Sequence, residues 1–90
     1  MILTSDIVLS LKGRDAGTIL FVLDTDGEYV LLADGKHRRI EAPKRKKCKH
    51  VQFLAKSDTR AARKIRSGEK VTNRELRRTL SEFRSVAPGA

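Results

Sequence analysis

Positively charged side chains are concentrated in one short stretch of this sequence. Eight Lys and Arg residues fall within the fourteen positions 36–49, with His37 among them and His50 directly after. Closely spaced cations displace the counterions that condense on a nucleic-acid backbone, and each phosphate contact adds affinity that salt removes. We call residues 36–50 the basic segment. We expect its phosphate contacts to come from Lys36, Arg38, Arg39, Lys44, Arg45, Lys46, Lys47, Lys49 and His50.

Pro43 governs the backbone that we expect for the second half of this segment. Proline disfavours a helical conformation in the residue before it, so residues 43–50 are predicted to be irregular and extended. In such a stretch Lys44, Lys46 and Lys49 are expected to face solvent. Two other interpretations stay open. The segment is also typical of a solvated loop that only aids solubility, and residues 43–47 fit a nuclear localisation signal.

The net charge of +9 at pH 7 is unevenly distributed along the chain. Residues 1–35 carry a net charge of −4, residues 36–56 carry +8, and residues 57–90 carry +5. This distribution predicts a scaffold in the first third and a polyanion-binding surface in the middle third. The arginines of the last third fit equally an extension of that surface or the solvated side of a helix. They are Arg74, Arg77, Arg78 and Arg84.

Metal binding and catalysis are weakly supported by the remaining polar residues. Cys48 and His50 are close in sequence, but a zinc site needs three or four ligands and only His37 remains to join them. We therefore expect no metal and no cofactor. The sequence contains no phosphate loop and no nucleophile elbow, so we expect no enzymatic activity. Four aspartates lie at positions where turns favour aspartate, so no catalytic role is needed to explain them. They are Asp15, Asp24, Asp26 and Asp34.

Length and composition predict one small folded core. Ninety residues with 39% hydrophobic and 34% charged side chains are typical of a single globular domain. The longest apolar run, 19–23, has five residues, whereas a membrane-spanning helix needs ~20. Residues 1–6 lack the features of a secretory signal, and a lone Cys48 cannot form an internal disulfide. A cytoplasmic protein is therefore expected.

The first 56 residues show the signals of short strands. Ile7, Leu9 and Leu11 alternate with Val8, Ser10 and Lys12, which is the period of a half-buried strand. Residues 18–23 are rich in β-branched and aromatic residues, and 29–33 return as a strand after the Asp26-Gly27 hairpin signal. Five short strands with tight turns predict a small, partly closed barrel. The predicted strands are 7–11, 18–23, 29–33, 38–40 and 51–54.

Residues 57–90 are predicted to form a helical tail. A first helix over 58–66 would be capped by Ser57, and a second over 73–84 follows a capping box at 72–75. Its Leu76, Leu80 and Phe83 form one apolar stripe. We expect this stripe to cover the outer face of the sheet, because each would otherwise expose an apolar patch. That face is expected to be Leu20, Val22, Val30 and Leu32, and residues 87–90 are expected to fray.

The stretch 6–35, with its loop Gly13-Arg14-Asp15-Ala16-Gly17, resembles a KOW motif. The residues that follow are similar to those of bacterial KOW-domain RNA-binding proteins, which are related to archaeal and eukaryotic large-subunit ribosomal proteins. The match runs through Asp34-Gly35, Arg38, Pro43-Lys44, Lys46 and Lys49-His50. The resemblance implies an SH3-like barrel over 1–56, RNA as the ligand and a role in translation at the ribosome. It carries the RNA-binding surface over to Arg14, Arg38, Lys44, Lys46, Lys49 and His50.

The kind of RNA contact is indicated by the scarcity of aromatic residues. Readers of single strands stack bases on aromatic rings, and this chain has three Phe, one Tyr and no Trp. We therefore expect backbone and shape recognition of folded RNA, such as large-subunit ribosomal RNA. Two alternatives stay open: a transcription-associated KOW module that binds RNA polymerase, and an enzyme that acts on RNA.

Overall fold

Five strands, one short 3-10 turn and two helices follow one another in this computed structural model, which describes residues 1–86. The 3-10 turn is Cys48–His50. The other elements are β1 (Ile7–Ser10), β2 (Ile19–Asp26), β3 (Tyr29–Ala33), β4 (Lys44–Lys47), β5 (Val51–Ala55), α1 (Arg60–Ser67) and α2 (Asn73–Val86). The prediction of five strands followed by two helices is confirmed. The fraying predicted for 87–90 lies outside the described residues.

The five strands form one antiparallel sheet in the order β4-β3-β2-β1-β5. β4 and β5 are therefore its two edges, although only Cys48–His50 separates them in sequence. Four residue steps span at most about 14 Å. The sheet must therefore curl until the end of one edge approaches the start of the other. Within residues 1–86 no ladder joins β4 to β5, so the sheet is open.

The fourth strand is not where the sequence predicted it. Residues 38–40 form part of a loop, and the strand lies at Lys44–Lys47 in the stretch expected to be irregular. The side chain of Asp34 explains the loop, because its Oδ1 accepts hydrogen bonds from the backbone N–H of Lys36 at 2.9 Å and of Arg38 at 2.8 Å. These bonds turn the chain away from β3, and it returns to pair with β3 only after Pro43.

Two hydrophobic clusters form the core. One lies inside the curl of the sheet, and the other lies between the opposite face of the sheet and the helices. The inner cluster is Val8, Leu20, Val22, Val30, Leu32 and Val51. The outer cluster is Ile7, Phe21, Ala33, Ala61, Ala62, Leu76 and Leu80, with Phe83 packed against it.

The apolar stripe of α2 covers a different face from the one expected. Leu76 and Leu80 share a cluster with Phe21, and alternate residues of a strand point to opposite faces of a sheet. The other face of β2 is buried by the curl of the sheet on itself. Two apolar faces were correctly predicted, but the face assigned to the helices was wrong. The residues wrongly assigned were Leu20, Val22, Val30 and Leu32.

Local capping signals explain where the two helices begin. Thr72 and Glu75 form the predicted capping box: Glu75 N–H donates to Thr72 Oγ1, and Thr72 N–H donates to Glu75 Oε1, both at 3.1 Å. The first helix begins later than predicted, because the N-cap is Thr59, whose Oγ1 accepts from Ala62 N–H at 3.3 Å. The hydroxyl of the expected cap, Ser57, instead lies 2.9 Å from that of Thr59.

Candidate nucleic-acid interface

Strand β4 divides the basic segment between two faces of the sheet. Residues directly opposite each other in an antiparallel pair point to the same side. Lys46 lies opposite Val30, which belongs to the inner cluster, and Lys47 lies opposite Tyr29. Four consecutive cations therefore do not form one continuous surface. Lys44 and Lys46 point to the inner side, and Arg45 and Lys47 point to the outer side.

Lys46 is buried, being only 7% exposed, so the expectation that it faces solvent is wrong. Its Nζ lies 2.6 Å from Oδ1 of Asp15 and 2.9 Å from Oγ of Ser10, and it also donates to the carbonyl oxygen of Lys12. The strand alternation turns this side chain inward, and the carboxylate of Asp15 compensates its charge. Lys46 therefore joins the edge strand β4 to the loop that follows β1.

The pKa of Asp15 reflects this environment. Partial burial of the carboxyl group acts to raise its pKa, but the hydrogen bonds from Lys46 and Ser10, together with the charge of Lys46, lower it below the ordinary value of 3.8. Asp15 is therefore ionised at neutral pH. Its second oxygen, Oδ2, is buried and has no hydrogen-bond partner among residues 1–86.

The outward cations of β4 and of the 3-10 turn are accessible. The guanidinium of Arg45 stacks over the ring of Tyr29, 3.6 Å from the centroid. It also lies 3.7 Å from Oδ2 of Asp26, but both side chains are more than half exposed, so this pair is weak. Lys47 and Lys49 are exposed as well. These three cations can reach a phosphate backbone without displacing any buried group.

His50 lies among these cations. Desolvation, followed by the positive charges of nearby lysines, lowers the pKa of His50 below 6.5. Its carbonyl oxygen accepts from the N–H of Leu11 at 2.9 Å, which holds the 3-10 turn against the end of β1. The imidazole of His50 therefore loses its proton more readily than an ordinary histidine side chain does. The lysines that lower its pKa are Lys12, Lys49, Lys47 and Lys46.

The loop after β3 carries the first half of the basic segment. Lys36, His37 and Arg39 are exposed and Arg38 is half-buried. Nδ1 of His37 lies 3.6 Å from Oδ2 of Asp34. Since the other oxygen of this carboxylate caps the loop backbone, Asp34 is an internal support for the cations around it.

Arg14 lies close to this loop, although more than twenty positions separate them in sequence. A shallow cavity of about 280 Å³ is lined by Arg14, Thr18 and Asp15 on one side and by His37 and Arg38 on the other. The structure therefore places the loop after β1 and the loop after β3 beside each other. The expected site residues Arg14 and Arg38 share one surface.

A second, larger cleft lies between the loop after β3 and helix α2. Its volume is about 440 Å³. The sequence had left the role of the α2 arginines undecided, and the structure brings only some of them to the basic segment. The two that line the cleft are Arg77 and Arg84. Their seven-residue spacing places them on the same side of the helix, beside the apolar stripe, and this was the signal in the sequence that could have selected them. The lining residues are Asp34, Lys36, His37, Arg77, Leu80, Ser81 and Arg84.

Two further features bear on what the surface can do. Across residues 1–86, no three His, Cys, Asp or Glu side chains are grouped closely enough to hold a metal ion. None of the helices described here combines the length and the apolar character that crossing a membrane requires.

Comparison with known proteins adds no relative. No family model matches the chain, and no curated protein matches it in sequence. The resemblance to KOW proteins therefore stays an expectation from the quoted residues.

Proposed function

We propose that this protein binds folded RNA, in particular ribosomal RNA of the large subunit, through phosphate contacts and without catalysis. The observation that carries the proposal is the meeting of distant cations on adjoining surfaces. Arg14 and Arg38 line one cavity, and His37 links that cavity to the cleft that holds Lys36. A strip of cations assembled from separate loops suits a phosphate backbone, whose charges are repeated at regular intervals.

The placement of the aromatic rings supports backbone contacts over stacking on bases. Phe21 is fully buried, and Phe83 packs against the outer cluster. The ring of Tyr29 is covered by Arg45. Phe53, at 44% exposed, is the aromatic side chain most open to solvent among residues 1–86. One accessible ring offers little for a single strand, whereas folded RNA presents phosphates and 2′-hydroxyls.

The proposed architecture is an SH3-like barrel of the KOW type, with the helices packed against one wall. The tight curl of the open sheet and the 3-10 turn between its edge strands support this assignment. By the same resemblance, we propose that the protein acts in the cytoplasm, in translation or ribosome assembly.

Sedimentation of cell extracts tests this function. At low salt the protein is expected to travel with the large ribosomal subunit, and it should dissociate as salt rises. Recovery only with RNA polymerase would overturn the ribosomal role and favour a transcription-associated module. For purified protein and a folded RNA fragment, we expect log affinity to fall with log salt, and the basic segment alone should contribute a slope of about −3. This slope assumes that about half of the accessible cations of the basic segment meet phosphates at ~0.7 to 0.9 per contact.

A further inference from the structure

We propose that the cleft between the loop after β3 and α2 binds backbone phosphates of the RNA, so that α2 forms part of the interface. This inference rests on the proposed function and deepens it, because it adds residues of α2 to the start of the basic segment to form one defined phosphate site. The phosphate ligands are Lys36, Arg77 and Arg84, with His37 and Ser81 at the margin.

The charge balance of the cleft is the first support. Within residues 1–86, Lys36, Arg77 and Arg84 form no ion pair. Other cations of the helices do: Lys64 lies 2.9 Å from Glu75, and Arg66 lies 3.0 Å from Asp58. Cations gathered without acidic partners repel one another, and a bound anion relieves that repulsion.

The one acidic side chain in the cleft does not compete for these cations. The side chain of Asp34 is 10% exposed. Its Oδ1 accepts two backbone hydrogen bonds from the loop, as described above. Oδ1 is therefore occupied by the loop backbone, and Oδ2 lies 3.6 Å from Nδ1 of His37. Against this one carboxylate, Lys36, Arg77 and Arg84 give the lining of the cleft a net positive charge.

The cleft is held in place before any ligand arrives. Arg77 Nη1 donates to the carbonyl oxygen of Gly35 at 2.7 Å, and Asn73 Oδ1 accepts from Ile40 N–H at 2.8 Å. Gly35 has φ 78°, and a Cβ there would collide with the carbonyl oxygen of Asn73. The first turn of α2 therefore lies directly on the loop backbone. A preorganised site loses less conformational entropy on binding, and a guanidinium keeps further N–H donors for a phosphate.

Matched double variants test the cleft. R77Q/R84Q removes two cations that line it, whereas R60Q/R78Q removes two exposed cations of the helices that do not. With a hairpin from large-subunit RNA as the probe, R77Q/R84Q should flatten the salt slope by about 1.4 to 1.8 and weaken binding about tenfold or more at 0.1 M salt. The slope for R60Q/R78Q should stay near that of the parent.

Arg84→Gln alone guards against a structural explanation, because it leaves the bond between Arg77 and Gly35 intact. It should flatten the slope by about 0.7 to 0.9 with an unchanged melting temperature. If R77Q/R84Q and R60Q/R78Q bind the hairpin with equal affinity, the assignment of phosphate binding to the cleft is overturned, while the proposed function stands. Absence of hairpin binding by the parent protein would overturn both.

Inorganic tripolyphosphate distinguishes RNA from a small phosphorylated ligand as the source of the phosphate. In NMR titrations, the hairpin should shift the amide signals of Lys36, His37 and Ser81 in the parent but not in R77Q/R84Q. Tripolyphosphate should shift the same amide signals with a weaker affinity, and the hairpin should displace it. Tight tripolyphosphate binding that the hairpin does not displace would overturn RNA as the ligand of the cleft.

Discussion

Lys46 and Asp15 form a buried ion pair although thirty-one positions separate them, with Nζ of Lys46 2.6 Å from Oδ1 of Asp15. The pair connects an edge strand to the loop that carries Arg14. Lys46 of the basic segment therefore stabilises the fold, and it holds in place a loop that we propose to contact RNA.

Breaking this pair from one side should destabilise the protein. Lys46→Met leaves the carboxylate of Asp15 buried without its cation, which typically costs about 3 kcal/mol or more. Lys44→Met is the matched control, since Lys44 lies on the same side of β4 and forms no ion pair among residues 1–86. Urea unfolding measures both. Similar midpoints for the two variants would contradict a structural role for the pair, and K46M/D15N should recover part of the loss.

The same pair predicts how stability depends on acid. Unfolded Asp15 takes up its proton near pH 3.8, and folded Asp15 does so at a lower pH. Between those values the unfolded state holds more protons, so the free energy of unfolding rises with pH. This stability is present above pH 3.8 and is lost as the pH falls through the folded pKa. Urea unfolding between pH 2 and pH 6 should show a shallower pH dependence for Asp15→Asn, and identical profiles would refute the assignment.

Gly35 should tolerate alanine less well than Gly27 does. Both have positive φ angles, 78° and 60°, so each substitution carries a backbone cost of about 1 to 2 kcal/mol. A Cβ at Gly27 meets nothing within 4 Å, whereas at Gly35 it collides with the backbone of Asn73. Thermal melts should therefore show a larger loss for Gly35→Ala. Equal losses would mean that α2 moves easily away from the loop.

The accessible lysines of the basic segment should control the salt dependence of RNA binding. K44Q/K47Q/K49Q removes the exposed Lys47 and Lys49 together with the half-buried Lys44, and it avoids Lys46. Folded RNAs of different sequence should all bind more weakly, and the salt slope should flatten by about 2.1 to 2.7 if all three lysines touch phosphates. The charge-matched control is R60Q/K70Q/R78Q. If that control loses affinity while the lysine variant binds like the parent, the RNA surface lies on the helices.

The position of His50 predicts stronger RNA binding at lower pH. Desolvation and the neighbouring lysines lower its pKa in the free protein. A phosphate beside it favours the imidazolium and raises the pKa in the complex. Binding therefore takes up a proton, and affinity should rise as the pH falls through the interval between the two values. Fluorescence titrations from pH 5 to pH 8 should show a smaller rise for His50→Gln; an unchanged pH dependence would remove His50 from the interface.

Several elements could be predicted because their signals are local. Strand β3 has the predicted limits, Tyr29–Ala33, since a hairpin turn precedes it and Asp34-Gly35 follows it. Helix α2 begins as predicted, because the capping box needs only Thr72 and Glu75. The clustering of cations in residues 36–50 is likewise a property of the sequence alone.

Other features depended on contacts between distant residues, and only the tertiary structure decided them. The burial of Lys46 requires Asp15, and no local sequence pattern predicts that pairing, because the two residues are thirty-one positions apart. The face of β2 that receives the helices depends on the direction in which the sheet curls. The cleft requires α2 to lie against the loop at Gly35, nearly forty positions before it. The distribution of charge and the periodicity of apolar residues can be read from the sequence, whereas the partner of each side chain is determined by tertiary packing.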